Sequence, residues 1–396
     1  MVAVISRLYG LEHIETAEDI VSESFLQAAE TWGIKGIPPN PAAWLYAVAK
    51  QKTLYHFRRN KIFEKKVIPG LKDKIEQTGN DELNFSLQNI KDSQLQMIFA
   101  VCNPVIASEA QIGLALRILC GFGIDEIAEA FFTGKETINK RLYRAKEKLR
   151  AEKIEMELPP EGQLEQRVDN VLRVIYLLFN EGYYSKTRNK ILQKDLCLEA
   201  MRLCILLTEN EGTNLPKTNA LLALMCFHAS RFDARQNPDD SFISYEEQNE
   251  ELWDKGLIKK GMEYLELSMR GSEFSSYHVE AKIAGWHCIK EDTSGKWIEI
   301  LSLYDQLLEF NYSPGGALNR IFALYKVKGA ETALIEAQRL DYVHSHFYFL
   351  LLGKLYQEID IEKAELNYKK AGKLARTRAE KQLISEKINN LRKGVI

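Results

Sequence analysis

The chain has only six cysteines in 396 residues, at positions 102, 120, 197, 204, 226 and 288, and none of them has C-x-x-C spacing. This scatter argues against a disulfide-framed domain and a zinc ribbon, and it predicts reduced, mostly buried thiols. Long apolar runs are also scarce. Uncharged windows such as 218–230 fall short of the roughly 18–20 apolar residues that span a bilayer, so no transmembrane helix is expected. The opening residues MVAVISRLYGLEH have no basic segment before their apolar patch, and Arg7 interrupts that patch too early for a signal peptide. A cytoplasmic location is the expectation. Neither sign of charge dominates, with 53 Lys and Arg against 55 Asp and Glu. No whole-molecule field therefore favours nucleic acid, and such a partner would have to be met by a local patch. Phosphate-cradling glycine loops and nucleophile motifs are missing, so the chain is not read as an enzyme and no cofactor is expected. His344 and His346 have H-x-H spacing, but no acid or cysteine sits at a helical metal-binding interval, so no metal site is assigned.

What the chain does have is helical periodicity and enough apolar content, 45%, for packed cores. Its length fits two or three domains of about 100–200 residues each. Val21, Phe25, Ala28 and Ala29 recur at helical steps, as do Ile124, Ile127, Ala128 and Phe131, whereas strand-like alternation is rare. The fold class expected is all-α. Breaks at Gly33–Pro41, Val67–Asp81, Asn103–Pro104 and Pro159–Gly162 divide it. They suggest a helical unit over 1–66, a polar linker over 67–92, a second unit over 93–158 and a long helical domain over 164–396. Near the end, Ala317–Leu340 and Phe347–Leu374 look like two copies of a helix pair, with Ala333 and Ala364 in register. Their offset is close to the roughly 34 residues of a tetratricopeptide (TPR) repeat.

One segment suggests a mechanism. Residues 123–150 read as two helices joined by the turn Phe132–Gly134, with Gly123 as N-cap and Glu126 three residues on. In the second helix Ile138, Leu142, Ala145 and Leu149 form an apolar stripe. The opposite face then carries Glu136, Lys140, Tyr143 and Glu147, flanked by Asn139 and Arg144. Asn and Lys can pair with base edges in a major groove, while Arg144, Lys146, Lys148 and Arg150 can hold phosphates. Lys135–Lys153 has eight basic residues against three acidic. The competing reading is a charged solvent face on an ordinary helical pair. A second basic stretch, Lys50–Lys66, has seven basic residues against one acidic and interleaves Tyr55, Phe57 and Phe63. It suits single-stranded nucleic acid, unless its aromatics belong to the core. Further on, Asn180, Glu181, His228, Arg231, Arg235, Gln248 and Trp253 crowd otherwise apolar helices. They would line a ligand or peptide pocket or, more plainly, make a structural ion pair.

In its order of motifs the chain resembles bacterial RNA polymerase sigma factors of the extracytoplasmic-function (ECF) type. AEDIVSESFLQAAETW, GIKGIPPNPAAW and WLYAVAKQKTLYHFRR, within 17–59, resemble region 2, and residues 107–150 resemble region 4. YLLFNEGYYS, DLCLEAMRL, LLALMCFHASRFDAR and EEQNEELWDKGLI follow in the order of the subgroup with a C-terminal TPR-like domain. The resemblance implies two partners, core RNA polymerase and promoter DNA. It implies polymerase binding at Asp19, Glu23 and Phe25, and reading of the melted minus-10 element by Asn40, Trp44, Lys50, Lys52, Arg58 and Arg59. It further implies reading of the minus-35 duplex by Thr137, Asn139, Lys140, Tyr143 and Arg144. The C-terminal half is then expected to hold a protein or peptide as a control module. The alternative is a TPR-type interaction scaffold with a degenerate sigma region.

Overall fold

The structure is a computed structural model that describes residues 1–67, 85–183, 190–235, 243, 245–340, 342, 344–375 and 378–392, without the side chains of 58–67, 190–192 and 378–379. The described residues form α-helices and short helical turns, with no strand among them, so the all-α expectation holds. They divide into two compact units, 1–213 and 214–396.

The first unit contains α1 (Val2–Tyr9), α2 (Ile14–Lys35), α3 (Pro41–Val67), α4 (Leu87–Val101), α5 (Ser108–Leu114), α6 (Ile124–Ala130), α7 (Lys135–Ala151), α8 (Glu161–Tyr183) and α9 (Lys190–Thr208). Sequence punctuation accounts for several boundaries. Gly36, with φ 79°, ends α2 in the left-handed region, and Pro41 opens α3, where its missing N–H costs nothing. Asn40 accepts from the Ala43 N–H at 3.0 Å and so caps α3. α4 starts at Leu87 behind the Ser86 cap, inside the stretch expected as linker; residues 68–84 of that stretch lie outside the described ones. Val4 and Ile5 of α1 pack with Ala17 and Ile20 of α2, joined by Phe57 and Ile90. Phe57 stacks on Tyr9 with ring centroids 3.7 Å apart, so that aromatic belongs to the core.

α8 and α9 fall in this first unit, although sequence punctuation places them with the C-terminal domain. Their polar side chains cap backbone ends in the amino-terminal helices. Arg167 Nη2 donates to Phe99 O at 2.6 Å, Asn170 Nδ2 donates to Cys102 O, and Arg202 Nη2 donates to Leu119 O at 2.9 Å. The last carbonyls of a helix have no intrahelical donor, so these bonds fasten α8 and α9 to α4 and to the segment after α5.

The second unit contains α10 (Pro216–Ala229), α11 (Lys255–Ser268), α12 (Ser276–Trp286), α13 (Ser294–Phe310), α14 (Pro314–Ala337), α15 (His346–Tyr356), α16 (Ile361–Leu374) and α17 (Arg378–Arg392). α10 is buried on every side from Lys217 to Phe227, as a helix apolar all round must be, and α11 and α12 cover it. Gly329, at φ 82°, breaks α14 into two arms. The stretch expected as the first repeat copy is therefore itself a helix pair, and Ala333 and Ala364, aligned by the sequence, are both fully buried.

The cysteines are all free; four are buried and Cys120 and Cys288 are half-buried. Burial pushes the Cys102 and Cys226 thiols up to about 12.

Gly182 shows how closely α8 and α9 approach. A Cβ there would lie 2.7 Å from Cys197 Sγ and 2.7 Å from the backbone oxygen of Gln193. Backbone cannot step aside, so Gly182→Ala is expected to destabilise the protein by about 1–3 kcal/mol. Urea unfolding of the full chain checks this, and an unchanged midpoint would refute the close approach.

Candidate nucleic-acid interface

α6 and α7 form the expected helix–turn–helix. Glu126 Oε2 accepts from Gly123 N at 2.6 Å, fixing the start of α6. Phe132 takes φ 49°, a left-handed conformation unusual for a bulky residue, to make the turn. Lys135 pairs with Asp125 across the two helices. Ile138, Leu142, Ala145 and Leu149 are buried, as the apolar stripe requires.

Beside α7 runs an open groove of about 410 Å³, walled by Val105, Ile106, Ala107 and Ala110 on one side. The other wall is a row from α7: Thr137, Lys140, Arg141, Arg144 and Lys148. At about 100° per residue these five share one flank of the stripe. Lys140, Arg144 and Lys148 make no ion pair among the described residues, and the Arg141 guanidinium lies 5.8 Å from the Phe131 ring centre. The concave, cationic surface is thus offset from the Glu136–Tyr143–Glu147 face that the sequence singles out. Thr137, Lys140 and Arg144 of the expected set line it. Tyr143 is 58% exposed outside it, and Asn139 is exposed on the far flank.

That far flank is committed elsewhere. Lys146 Nζ donates to Glu18 of α2, and Arg117 Nε donates to the same carboxylate at 2.9 Å. Arg117 comes from a π-helical turn, Ala115–Leu119, that continues α5. Arg150 pairs with Glu147, lies 3.4 Å from Glu15 and reaches the Glu12 carbonyl at 3.3 Å. Of the four cations read as phosphate holders, Lys146 and Arg150 are therefore structural, because α2 supplies them with acids. The helix period alone did not reveal this long-range pairing.

The region 2 candidates are dispersed. Asp19 and Glu23 are exposed on α2, with Phe25 exposed near them. Leu26 and Ile34 of α2 and Ile37 of the α2–α3 loop are exposed as well. Glu23 and Lys52, assigned to different partners, pair with each other at 3.1 Å. Asn40 is a cap, and Trp44 is half-buried edge-on against Trp32, with centroids 5.5 Å apart. Lys50 is half-buried and Tyr55 exposed. Arg58, Arg59 and Phe63 lie outside the described side chains.

The residues read as a C-terminal pocket separate. Asn180 and Glu181 belong to α8 in the first unit, where burial raises the Glu181 carboxyl above its ordinary range. His228, Arg231, Arg235 and Trp253 belong to the second. Neither Glu181 nor Arg231 has an ion pair among the described residues. Arg231 and Trp253 are buried within a larger polar cluster around Tyr245. Sequence reading missed Tyr245, His287, Lys290 and Lys296, because HCIKEDTSGK reads as an ordinary charged turn. His228 is held well below its ordinary range by burial first, then by Arg231 and Arg235. Burial, then Arg231 and Lys296, push His287 from 6.5 to about 3.

Two tests follow from this electrostatics. Glu18→Gln would leave Lys146 and Arg117 without their counter-charge, and it is expected to cost about 1.5–3 kcal/mol in urea unfolding. A loss below about 0.5 kcal/mol would make the pairing a surface contact. For His287, the unfolded chain takes up a proton as pH falls below 6.5 while the folded chain stays neutral down to about 3. Folded stability should therefore fall across that window. The thermal midpoint of His287→Asn is expected to drop less than wild type between about pH 7 and about pH 4.5; equal drops would contradict it.

A model of a family of unknown function (DUF6596) matches residues 167–269. An uncharacterized protein of Rhizobium meliloti (strain 1021) is 30% identical over 343 residues, covering 85% of this chain and 80% of that protein. No solved structure matches the chain. Identity of that extent across most of both proteins shows that this chain belongs to the same family as the Rhizobium meliloti protein.

Proposed function

We propose that the protein is a promoter-recognition subunit, a sigma factor of the extracytoplasmic-function type. It directs core RNA polymerase to promoter DNA in the cytoplasm and carries out no covalent chemistry of its own. The observation that carries this reading is the cationic flank of α7. Thr137, Lys140, Arg141, Arg144 and Lys148 present a hydroxyl and four cations, none with an ion pair among the described residues, along about three helical turns. Such a row can follow a phosphate backbone, while Asn139 and Tyr143, exposed on other faces of α7, lie outside it. Because the whole chain is near neutral, this local row has to supply the counterion-release term of duplex binding.

Two further features support the reading. Leu26 and Ile34 are exposed on the same side of α2 as Asp19 and Glu23, an acid-edged surface suited to docking on a larger protein. Tyr55, exposed near half-buried Lys50, offers a stacking face for an unpaired base. In this reading α14–α16 are TPR-like helix pairs of a control module that holds a protein or peptide. No helix among the described residues is long and apolar enough to cross a membrane.

The scaffold alternative draws on one observation, the neutralisation of Lys52, Lys146 and Arg150 by acids of the same chain. Reconstituted run-off transcription with core polymerase and genomic DNA separates the two. The sigma reading expects promoter-dependent transcripts, lost in Lys140→Ala with Arg144→Ala. The log–log salt slope of duplex binding should fall by about one for each phosphate contact removed. Polymerase binding without any promoter selection would instead favour the scaffold.

A further inference from the structure

The second unit contains a buried cation with no ion-pair partner among the described residues. Arg231 is 7% exposed and follows the end of α10. Other buried or half-buried cations have visible compensation. Lys217, 4% exposed, has Glu273 at 2.8 Å. Lys296 donates to Ile289 O at 2.6 Å and Tyr245 Oη at 3.1 Å. Lys290 donates to the carbonyls of Tyr245, Glu246 and Gln248 at 2.8–3.0 Å. Asp292, beside the cluster, is taken by Trp297 Nε1 and by Lys326 at 2.9 Å. Arg231 has no carboxylate partner among the described residues, and its Nε has no hydrogen-bond partner among them either.

Three more buried groups of the cluster around Tyr245 have no hydrogen-bond partner among the described residues: Trp253 Nε1, His287 Nδ1 and Gln248 Oε1. Their convergence is set by backbone and ring contacts. Asp254 N donates to Ser230 O at 2.8 Å, which brings Trp253 beside Arg231. Ser230 Oγ and Cys288 Sγ are 3.8 Å apart, which brings His287 to the same place. The Tyr245 ring is their common wall, with the Arg231 guanidinium 5.7 Å, the His287 ring 5.1 Å and the Trp253 ring 6.3 Å from its centre. Water can satisfy an indole or imidazole N–H, but it leaves a guanidinium charge unmatched at low dielectric. The depressed histidines point the same way, since Arg231 contributes to keeping each of them neutral.

We infer that Arg231, Trp253, His287 and Gln248 form a binding site for a small oxyanion, a carboxylate or phosphate that also bears a hydrogen-bond donor. The guanidinium supplies charge, the indole and imidazole supply N–H donors to the oxyanion, and Gln248 Oε1 accepts the ligand's own O–H or N–H. The site stands apart from the α7 reading and holds whether or not the protein binds DNA.

Isothermal titration of the full-length protein tests it, with inorganic phosphate, lactate and acetate as probes and chloride balancing ionic strength. Saturable binding of phosphate or lactate is expected, with acetate, which lacks the donor, weaker. Arg231→Gln should weaken that binding roughly tenfold or more, and Trp253→Phe, which removes only the N–H and keeps an aromatic, by a smaller factor. Strong phosphate with weak lactate binding would identify a phosphate site, and the reverse a hydroxy-acid site. No saturable binding of either probe would overturn the inference, as would binding unchanged in Arg231→Gln and Trp253→Phe. So would a higher thermal midpoint in Arg231→Met if wild type showed no anion-dependent rise in midpoint. If Arg231→Gln does not fold, Trp253→Phe alone decides.

Discussion

Glu18 is the charge on which the amino-terminal unit depends. Its side chain is 12% exposed, and it accepts from two cations that are distant in sequence, Arg117 of the π-helical turn and Lys146 of α7. A carboxylate withdrawn from water costs several kcal/mol unless its oxygens are matched, and cations on both oxygens provide that match. The pairing ties α2, the end of α5 and α7 together through one side chain. It also sets the rotation of α7 about its axis: once Lys146 faces α2 and the apolar stripe faces the core, Thr137, Lys140, Arg141, Arg144 and Lys148 face the groove.

The same constraint organises the rest of the chain. Several helix ends and cations that leave water find a polar partner elsewhere in the chain: Arg167, Asn170 and Arg202 for carbonyls, Glu273 for Lys217, three carbonyls for Lys290. Against that pattern Arg231 stands out. A buried guanidinium over an aromatic ring gains some cation–π attraction, about 1–2 kcal/mol when desolvated. This is less than the several kcal/mol that withdrawing the charge costs.

How much of this was legible in the sequence differs by level. Periods of three and four residues revealed the all-α class, the buried stripe Ile138–Leu142–Ala145–Leu149 and the helix–turn–helix, because each depends on neighbours within two turns. Local punctuation, such as Pro41 behind Asn40 or Glu126 behind Gly123, located helix starts for the same reason. Pairings across more than a hundred residues were not legible. Nothing near Lys146 shows that Glu18 will claim it, and a periodic pattern cannot tell a phosphate-binding lysine from an ion-paired one. The capping side chains of α8 read as ordinary polar positions, so Pro159 and Pro160 looked like a domain edge. In the second unit His228, Arg231 and Trp253 were recognisable as polar residues in apolar surroundings. Their neighbours Tyr245, His287 and Lys296 come from a short helical turn, the end of α12 and the first turn of α13, where the composition resembles a solvent-exposed loop.

The geometry of α7 allows its two sets of cations to act independently. Lys146 and Arg150 lie on one flank of the buried stripe and the groove-lining residues on the other, so a duplex could occupy the groove without displacing Glu18. Salt separates them further. In the proposed reading, exposed Lys140, Arg144 and Lys148 would meet a phosphate backbone through water and ions, where the Debye length is about 8–10 Å at physiological strength. The Glu18 pairs are largely shielded from those ions and keep most of their attraction. Raising ionic strength therefore weakens the long-range attraction that would draw α7 to nucleic acid while leaving intact the pairing that orients it. That is the behaviour required of a helix whose orientation is set by the fold and whose occupancy is set by its surroundings.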